Sequence, residues 1–235
     1  MKKIELTPRL AAIASEVPDG AKFADIGTDH GYLPIALIQA GRIDGAIATD
    51  VKPGPLSRGQ EAAEMHGITT IDFRCCDGLC GIAANETDTV VIAGMGGDTI
   101  IHILEAAPWT RTGTCLYLLQ PMSALVELRQ WLTGNGFLLI REIICREGEK
   151  FYVVFVVRPG EGRDYTLGEL WAGTQCKGMQ SPHRLAYLED LIARRSRALE
   201  GLRKGKRDHI AAIAELEETV QQLAELREEW TTWQR

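Results

Sequence analysis

Short apolar stretches alternate with longer amphipathic ones along the first two thirds of the chain. The stretches at residues 21–26, 46–50, 70–75, 89–93 and 116–119 are too short for helices, and each stops within two residues of a glycine, proline or acid. Stretches of that length, bounded by such breakers, read as strands, those at 21–26 and 89–93 as buried ones. Between them, residues 33–40, 55–66, 99–106 and 124–132 carry helical patterns. An earlier helix over 9–15 is announced by Thr7-Pro8, an N-cap followed by proline in the first turn, with Leu10, Ile13 and Val17 on one face. Two last strands, 137–145 and 151–157, flank Arg146-Glu147-Gly148-Glu149-Lys150 and predict a hairpin. The layout is an α/β fold, a doubly wound sheet closed by an antiparallel pair.

The period then changes. Arg158-Pro159-Gly160-Glu161-Gly162 predicts a boundary, dividing the chain into domains 1–158 and 159–235, and one short helix falls at 166–171. From residue 184, Leu185, Leu188, Ile192, Leu199 and Leu202 follow three-four spacing, with Arg195 in one seam position. Beyond a glycine-bearing turn at 201–205, a second seam runs through Ile210, Ile213, Leu216, Val220, Leu223, Leu226, Trp230 and Trp233. Two seams around such a turn predict an antiparallel, coiled-coil-like helical hairpin.

The candidate chemistry starts at the first strand. Asp25-Ile26-Gly27-Thr28-Asp29-His30-Gly31 is a strand-to-helix corner of the kind that cradles nucleotides, but it departs from G-x-G-x-x-G. Asp29 stands where the second glycine would meet a pyrophosphate, and Asp25 precedes the turn. Two carboxylates repel a pyrophosphate and suit a ligand carrying an amine or sulfonium, as S-adenosylmethionine does. An ordinary turn with acidic capping residues is the competing reading. Asp50 closes the second strand about 20 residues further on, where a carboxylate takes both hydroxyls of a ribose, or else caps the next helix. Asp77-Gly78 after the third strand suits an adenine amine, or is a plain turn. Gly94-Met95-Gly96-Gly97-Asp98 follows the fourth strand and predicts a functional loop, or a tight helix entry with Asp98 as N-cap. Five strands closed by a hairpin is the layout of the class I methyltransferase sheet, which a plain Rossmann dehydrogenase lacks.

Charge and cysteine content refine this reading. The net charge of −6 argues against a nucleic-acid partner only if spread evenly. Residues 177–208 instead hold nine Lys and Arg against four Asp and Glu, and residues 209–235 hold two against six. The two arms can pair across the hairpin. Arg194, Arg195, Arg197, Arg203, Lys204, Lys206 and Arg207 nonetheless exceed what pairing needs and can neutralise RNA phosphates. The six cysteines lack zinc-ligand spacing and read as structural or free thiols of a reducing compartment. No apolar run approaches a membrane span, so a soluble, cytoplasmic protein is expected.

Taken together, Asp25-Ile26-Gly27-Thr28-Asp29-His30-Gly31-Tyr32-Leu33-Pro34, Ala93-Gly94-Met95-Gly96-Gly97 and Leu119-Gln120-Pro121-Met122 resemble one family nearly end to end. It is the TrmK-type bacterial tRNA (adenine(22)-N1)-methyltransferases, in which alanine is common at the position of Gly31. The resemblance implies a Rossmann-like domain for S-adenosylmethionine and a coiled-coil-like domain that helps hold tRNA, the protein being a monomer or a weak dimer through the hairpin. It places Asp25, Gly27, Thr28, Asp29 and His30 at the methionine end of the cofactor, Asp50 at its ribose, and Cys76, Asp77 and Gly78 at its adenine. Ala93, Gly94 and Met95 would complete that site, with Gly96 and Gly97 facing the RNA. Adenine N1 has its own lone pair, so positioning supplies most of the rate. A carboxylate would steady the cationic product, Asp29 first and Asp98 second. The rival readings are a methyltransferase acting on another RNA position or a small molecule, and a non-catalytic RNA- or protein-binding module.

Overall fold

The computed structural model describes residues 3–204 and 209–234. The chain divides into two compact units, Met1–Gly162 and Arg163–Arg235.

The first unit opens with α1 (Pro8–Glu16), capped by the Thr7 hydroxyl accepting from the Leu10 amide at 3.4 Å. Strands and helices then alternate: β1 (Phe23–Ile26), α2 (Tyr32–Gln39), β2 (Ala46–Asp50), α3 (Pro53–Met65) and β3 (Ile71–Cys75). They continue as β4 (Thr89–Gly96), α4 (Gly97–Glu105), β5 (Leu116–Ser123), α5 (Leu125–Gly134) and the hairpin β6 (Phe137–Glu147) with β7 (Lys150–Pro159). All seven strands form one sheet in the order β3-β2-β1-β4-β5-β7-β6. The first five run parallel, while β7 inserts antiparallel between β5 and β6. This is the Rossmann-like methyltransferase arrangement, and it brings the carboxyl ends of β1, β2, β3 and β4 side by side.

Alternation along the strands divides the core between the two faces. Ile13, Val17, Leu33 and Leu37 of the first two helices and their junctions pack with Phe23, Val91, Leu118, Val154 and Val156 on one side. The intervening residues face the other way, where α5 brings a charge into the core. Arg129 has no exposed side-chain surface, and it grips the nearly as buried Glu142 of β6 through two bonds of 2.9 and 2.6 Å. Its guanidinium lies 4.8 Å above the Phe155 ring. The pair ties the hairpin to the helix before it.

Two local expectations change. The glycine-rich stretch after residue 93 is not a loop: β4 runs on to Gly96 and pairs irregularly with Pro121 and Ser123. Asp98 is not the N-cap of the following helix. Gly96 is the cap, and Asp98 lies in the exposed first turn. The helix starts that early because Gly97 is packed against β5's end, where a Cβ would come within 2.4 Å of the Ala124 carbonyl oxygen.

The second unit holds α6 (Leu167–Ala172), α7 (Arg184–Lys204) and α8 (Ile210–Trp233). Thr166 and Glu169 cap α6 reciprocally. The last two helices pair as a hairpin, with α6 laid so tightly on α8 that a Cβ on Gly168 would lie 2.8 Å from Gln222 Cβ. Leu188, Leu199, Leu223 and Trp230 are buried as the periodicity predicts. Leu185 and Ile210 leave the seam and are exposed, because Tyr187, Leu191 and Thr219 take the inward places. The first arm also continues through Gly201 to Lys204 rather than breaking there. Arg184 is buried and donates to the Gly173 carbonyl at 2.9 Å and to that of Ala172, closing the end of α6. Among the described residues no helix is long and apolar enough to cross a membrane.

Removing one partner of the buried pair strands the other's charge in an apolar layer. Glu142→Ala should therefore lose about 3–5 kcal/mol in urea unfolding, and Glu142→Leu combined with Arg129→Met should recover most of that loss. A double variant no more stable than the single one would show that the pair does more than compensate its own burial.

Candidate functional site

The corner after β1 is pinned by its neighbour strand. The amides of Gly27 and Thr28 both donate to the Thr49 carbonyl of β2, each at 2.8 Å, so one acceptor holds the first two residues beyond Ile26. Gly27 can serve because its φ of 77° is open to glycine. A Cβ there would also fall 2.0 Å from Met95 Cε. The Met95 side chain thus lies directly over the bare backbone of the turn.

Asp25 sits on the central strand and is buried at 7 % exposure. Burial pushes its carboxyl up from 3.8 to about 6, with the nearby Thr28 hydroxyl opposing that rise. Thr28 Oγ1 is itself buried and stands beside that carboxyl outside strict hydrogen-bond geometry to any partner. Asp29 is the opposite case. It is exposed, and a hydrogen bond from Arg58 of α3 lowers its pKa, assisted by His30, whose Nε2 lies 3.4 Å away. His30 stacks on Tyr32, with ring centroids 5.1 Å apart and planes 10° off parallel.

These residues border a cleft of about 400 Å³ at the carboxyl end of the sheet. Asp25, Gly27, Thr28, Asp29 and His30 line it from the corner, and Ala93 and Gly94 from β4. Thr7, Arg9 and Leu10 close it from the start of α1. Asp50, Cys76, Asp77 and Gly78 do not line this cleft; they continue the row along the adjoining strand ends. Asp50 Oδ1 accepts from the Lys52 amide at 2.8 Å, which holds the turn after β2. The Cys76 amide donates to the Asp50 carbonyl at 3.1 Å, and Thr49 Oγ1 to the Gly78 carbonyl at 3.3 Å. Asp98 and the tightly packed Gly96 and Gly97 also lie outside the lining.

Two residues received no role from sequence reasoning, although Gln120 stands in the Leu119-Gln120-Pro121-Met122 motif. The irregular pairing at Gly94 leaves its amide off the ladder, and the side chain of the fully buried Gln120 accepts from it at 3.1 Å. The same Oε1 accepts from Arg9 Nη1 at 2.8 Å. For Gln120 the signals were that motif and its place at the end of an apolar strand; nothing local marked Arg9.

The family model described as a methyltransferase domain matches residues 6–155. A tRNA (adenine(22)-N(1))-methyltransferase of Bacillus subtilis is 40% identical over 162 residues, which are 68% of this chain and 68% of that protein. The chain belongs to the TrmK-type tRNA (adenine(22)-N1)-methyltransferase family. The crystal structure of the B. subtilis m1A22 tRNA methyltransferase TrmK superposes with a TM-score of 0.76 at 30% identity, covering 98% of this chain and 99% of that one. Streptococcus pneumoniae Sp1610 in complex with S-adenosyl-L-methionine reaches 0.81 at 30% identity, over 95% and 100% of the two chains. The likeness therefore extends beyond the sheet to the helical unit that follows it.

Because the folded Asp25 holds its proton more tightly than an unfolded chain does, its share of stability is full below about pH 4 and is lost as pH rises through about 6. Asp25→Asn removes this titration. Its stability relative to the parent should rise by up to about 3 kcal/mol between pH 4 and 7.5, read by urea unfolding at both values. A pH-independent difference would place the ionised carboxylate in a better-solvated setting than its burial indicates.

Proposed function

We propose that this protein transfers a methyl group from S-adenosylmethionine to N1 of adenine 22 in tRNA. The buried carboxyl of Asp25 beside the buried Thr28 hydroxyl, at the mouth of the central strand, carries this reading. Such a place suits a ligand that brings its own cationic donors and has little use for a pyrophosphate. The family membership and the S-adenosyl-L-methionine complex of a relative support it independently.

In this reading residues 1–158 form the methyltransferase domain and residues 159–235 a linker and RNA-holding domain, working in the cytoplasm on tRNA as a monomer or weak dimer through the helical hairpin. Asp25, Gly27, Thr28, Asp29 and His30 meet the methionine end of the donor. Asp50 accepts from its ribose, Cys76, Asp77 and Gly78 border its adenine, and Ala93, Gly94 and Met95 close over the sulfur end. The donor supplies an electrophilic methyl on a sulfonium. As the N1 lone pair forms the new bond to carbon, the carbon–sulfur pair returns to sulfur and the adenine takes up the positive charge. Asp29, kept ionised by Arg58 and His30, stands at the rim to face that charge. Asp98 is less well placed, lying in the first turn of α4 outside the lining. N1 is a Watson–Crick edge atom, so the base must leave its stack to reach the cleft. Gly96 and Gly97 are accounted for by packing against Ser123 and Ala124, and any role toward RNA is through their backbone.

The helical unit carries the remaining RNA contacts. Arg194, Arg197, Arg203 and Lys204 are exposed. Arg194, Arg203 and Lys204 are paired with Asp190, Glu217 and Glu200. Exposed pairs of this kind contribute little and exchange readily for phosphates. Arg195 differs: it is half-buried with its guanidinium 4.1 Å over the Trp171 ring, so it serves the unit's packing as well. Lys206 and Arg207, named with this group, lie outside the described residues.

Incubation with methyl-labelled S-adenosylmethionine and unmodified tRNA transcripts should place the label at N1 of adenine 22, and a transcript with guanine there should take none. Label at another nucleotide, or none on any tRNA, would overturn the assignment. Asp29→Ala should slow transfer by roughly 10- to 100-fold, a larger loss than it causes in S-adenosylhomocysteine affinity. Unchanged turnover would remove this carboxylate from the reaction.

A further inference from the structure

The connection from β3 to β4, residues 76–88, is built from turns rather than a helix. One guanidinium holds it. Arg74 of β3 donates from Nη1 to the Gly81 carbonyl at 2.7 Å and grips Glu86 with both terminal nitrogens, at 3.1 and 2.7 Å. Its Nε donates at 2.8 Å to Asp72 on the same strand, which fixes the direction of the fork. Glu86 in turn accepts from the Ala83 amide at 2.7 Å, and the hydrogen bonds from Arg74 hold its pKa down at about 2. A planar fork with acceptors on three residues is a clamp that a lysine cannot reproduce.

The clamp bears on the start of the connection. A Cβ on Gly81 would fall 2.7 Å from Cys76 Sγ, so the carbonyl that Arg74 holds belongs to a residue lying directly against Cys76. The Cys80 amide donates to the Asp77 carbonyl at 3.0 Å and closes the turn between them. Gly78, at a φ of 53°, sits against Ile103 of α4, where a Cβ would meet two side-chain carbons at 3.0 Å. Leu79 and Ile82 are buried and tie down the apolar side. Asp77 itself is exposed, and its carboxylate has no hydrogen bond or ion pair among the described residues. Its place is therefore set by the main chain of the turn.

Resting on the donor-binding reading above, which puts Cys76, Asp77 and Gly78 at the adenine, we infer that Arg74 is a positioning residue for adenine recognition. It touches no ligand. It acts through the turn at 76–81, holding Asp77 where an acceptor-only carboxylate can take the 6-amino group. Two features favour positioning over plain stability. Leu79 and Ile82 already anchor the connection by burial. Arg74 and both its carboxylate partners keep contact with solvent, where ion pairs contribute little to folding. The apolar anchors fix the depth of the connection, whereas directed hydrogen bonds from one rigid fork fix its orientation against β3.

The test uses two ligands that differ only at the amine: S-adenosylhomocysteine and its 6-deamino analogue, in which purine replaces adenine. Calorimetry on the full chain should show the parent binding S-adenosylhomocysteine about 10-fold more tightly, the lower end for a hydrogen bond to a charged group. Arg74→Ala should lose most of that preference. S-adenosylhomocysteine weakens by roughly 5- to 10-fold, while the deamino ligand stays within about twofold of its parent affinity. Glu86→Gln loosens the clamp from the other end and should shift the preference the same way, which keeps the test open if the alanine form does not fold. Equal weakening of both ligands would make Arg74 merely structural and sink the inference. So would an unchanged preference in a folded variant. A parent that binds both ligands equally would overturn the placing of Asp77 at the adenine. One that binds neither would overturn the donor-binding reading itself, and both results are distinct from a failure of Arg74 alone.

Discussion

A carboxyl group buried in the middle strand of a parallel sheet is an unfavourable thing for a protein to keep. Asp25 stands between β2 and β4, where hydrophobic residues would pack at no electrostatic penalty, and burial drives its pKa to about 6. Much of the surrounding geometry follows from tolerating that group at that place. The turn beyond it is fixed by one carbonyl of β2, the Thr28 hydroxyl is kept beside it, and Asp29, four residues on, is held at the surface in its ionised form. Two carboxylates a few residues apart thus have opposite characters because one is enclosed and the other is solvated and paired.

The opposite wall of the cleft is assembled from parts far apart in the chain. Arg9 belongs to the first helix, Gly94 to the fourth strand and Gln120 to the fifth. A single buried amide oxygen joins them. It does so because the ladder between β4 and β5 is irregular at the glycine-rich stretch, leaving an amide for a side chain to satisfy. The glycines accordingly have separate reasons. Gly97 admits the Ala124 backbone, whereas the stretch at Gly94 creates the vacancy that Gln120 fills.

The helical unit works on different terms. Its core is narrow, and buried Arg184 and the crossing of α6 over α8 at Gly168 make it a three-helix body rather than a bare hairpin. Arg194, Arg203 and Lys204 are paired at the surface, where ion pairs contribute little stability and remain available to a polyanion.

The amino-acid sequence by itself determined the order of strands and helices, the acidic corner and the change of period near residue 184, because each is written in local spacing of apolar residues and turn formers. It also placed Asp25 near the end of β1 and Asp50 at the end of β2, since a strand's end is a local event. Tertiary structure alone decided that β4 runs through its glycines, that Asp98 lies outside the cleft, and that Leu185 and Ile210 point outward while Tyr187 and Thr219 point in. It alone brought Arg9 to Gln120, residues separated by 111 positions. Contacts of that kind depend on which strands become neighbours and on where a ladder slips, and no window along the chain contains either fact.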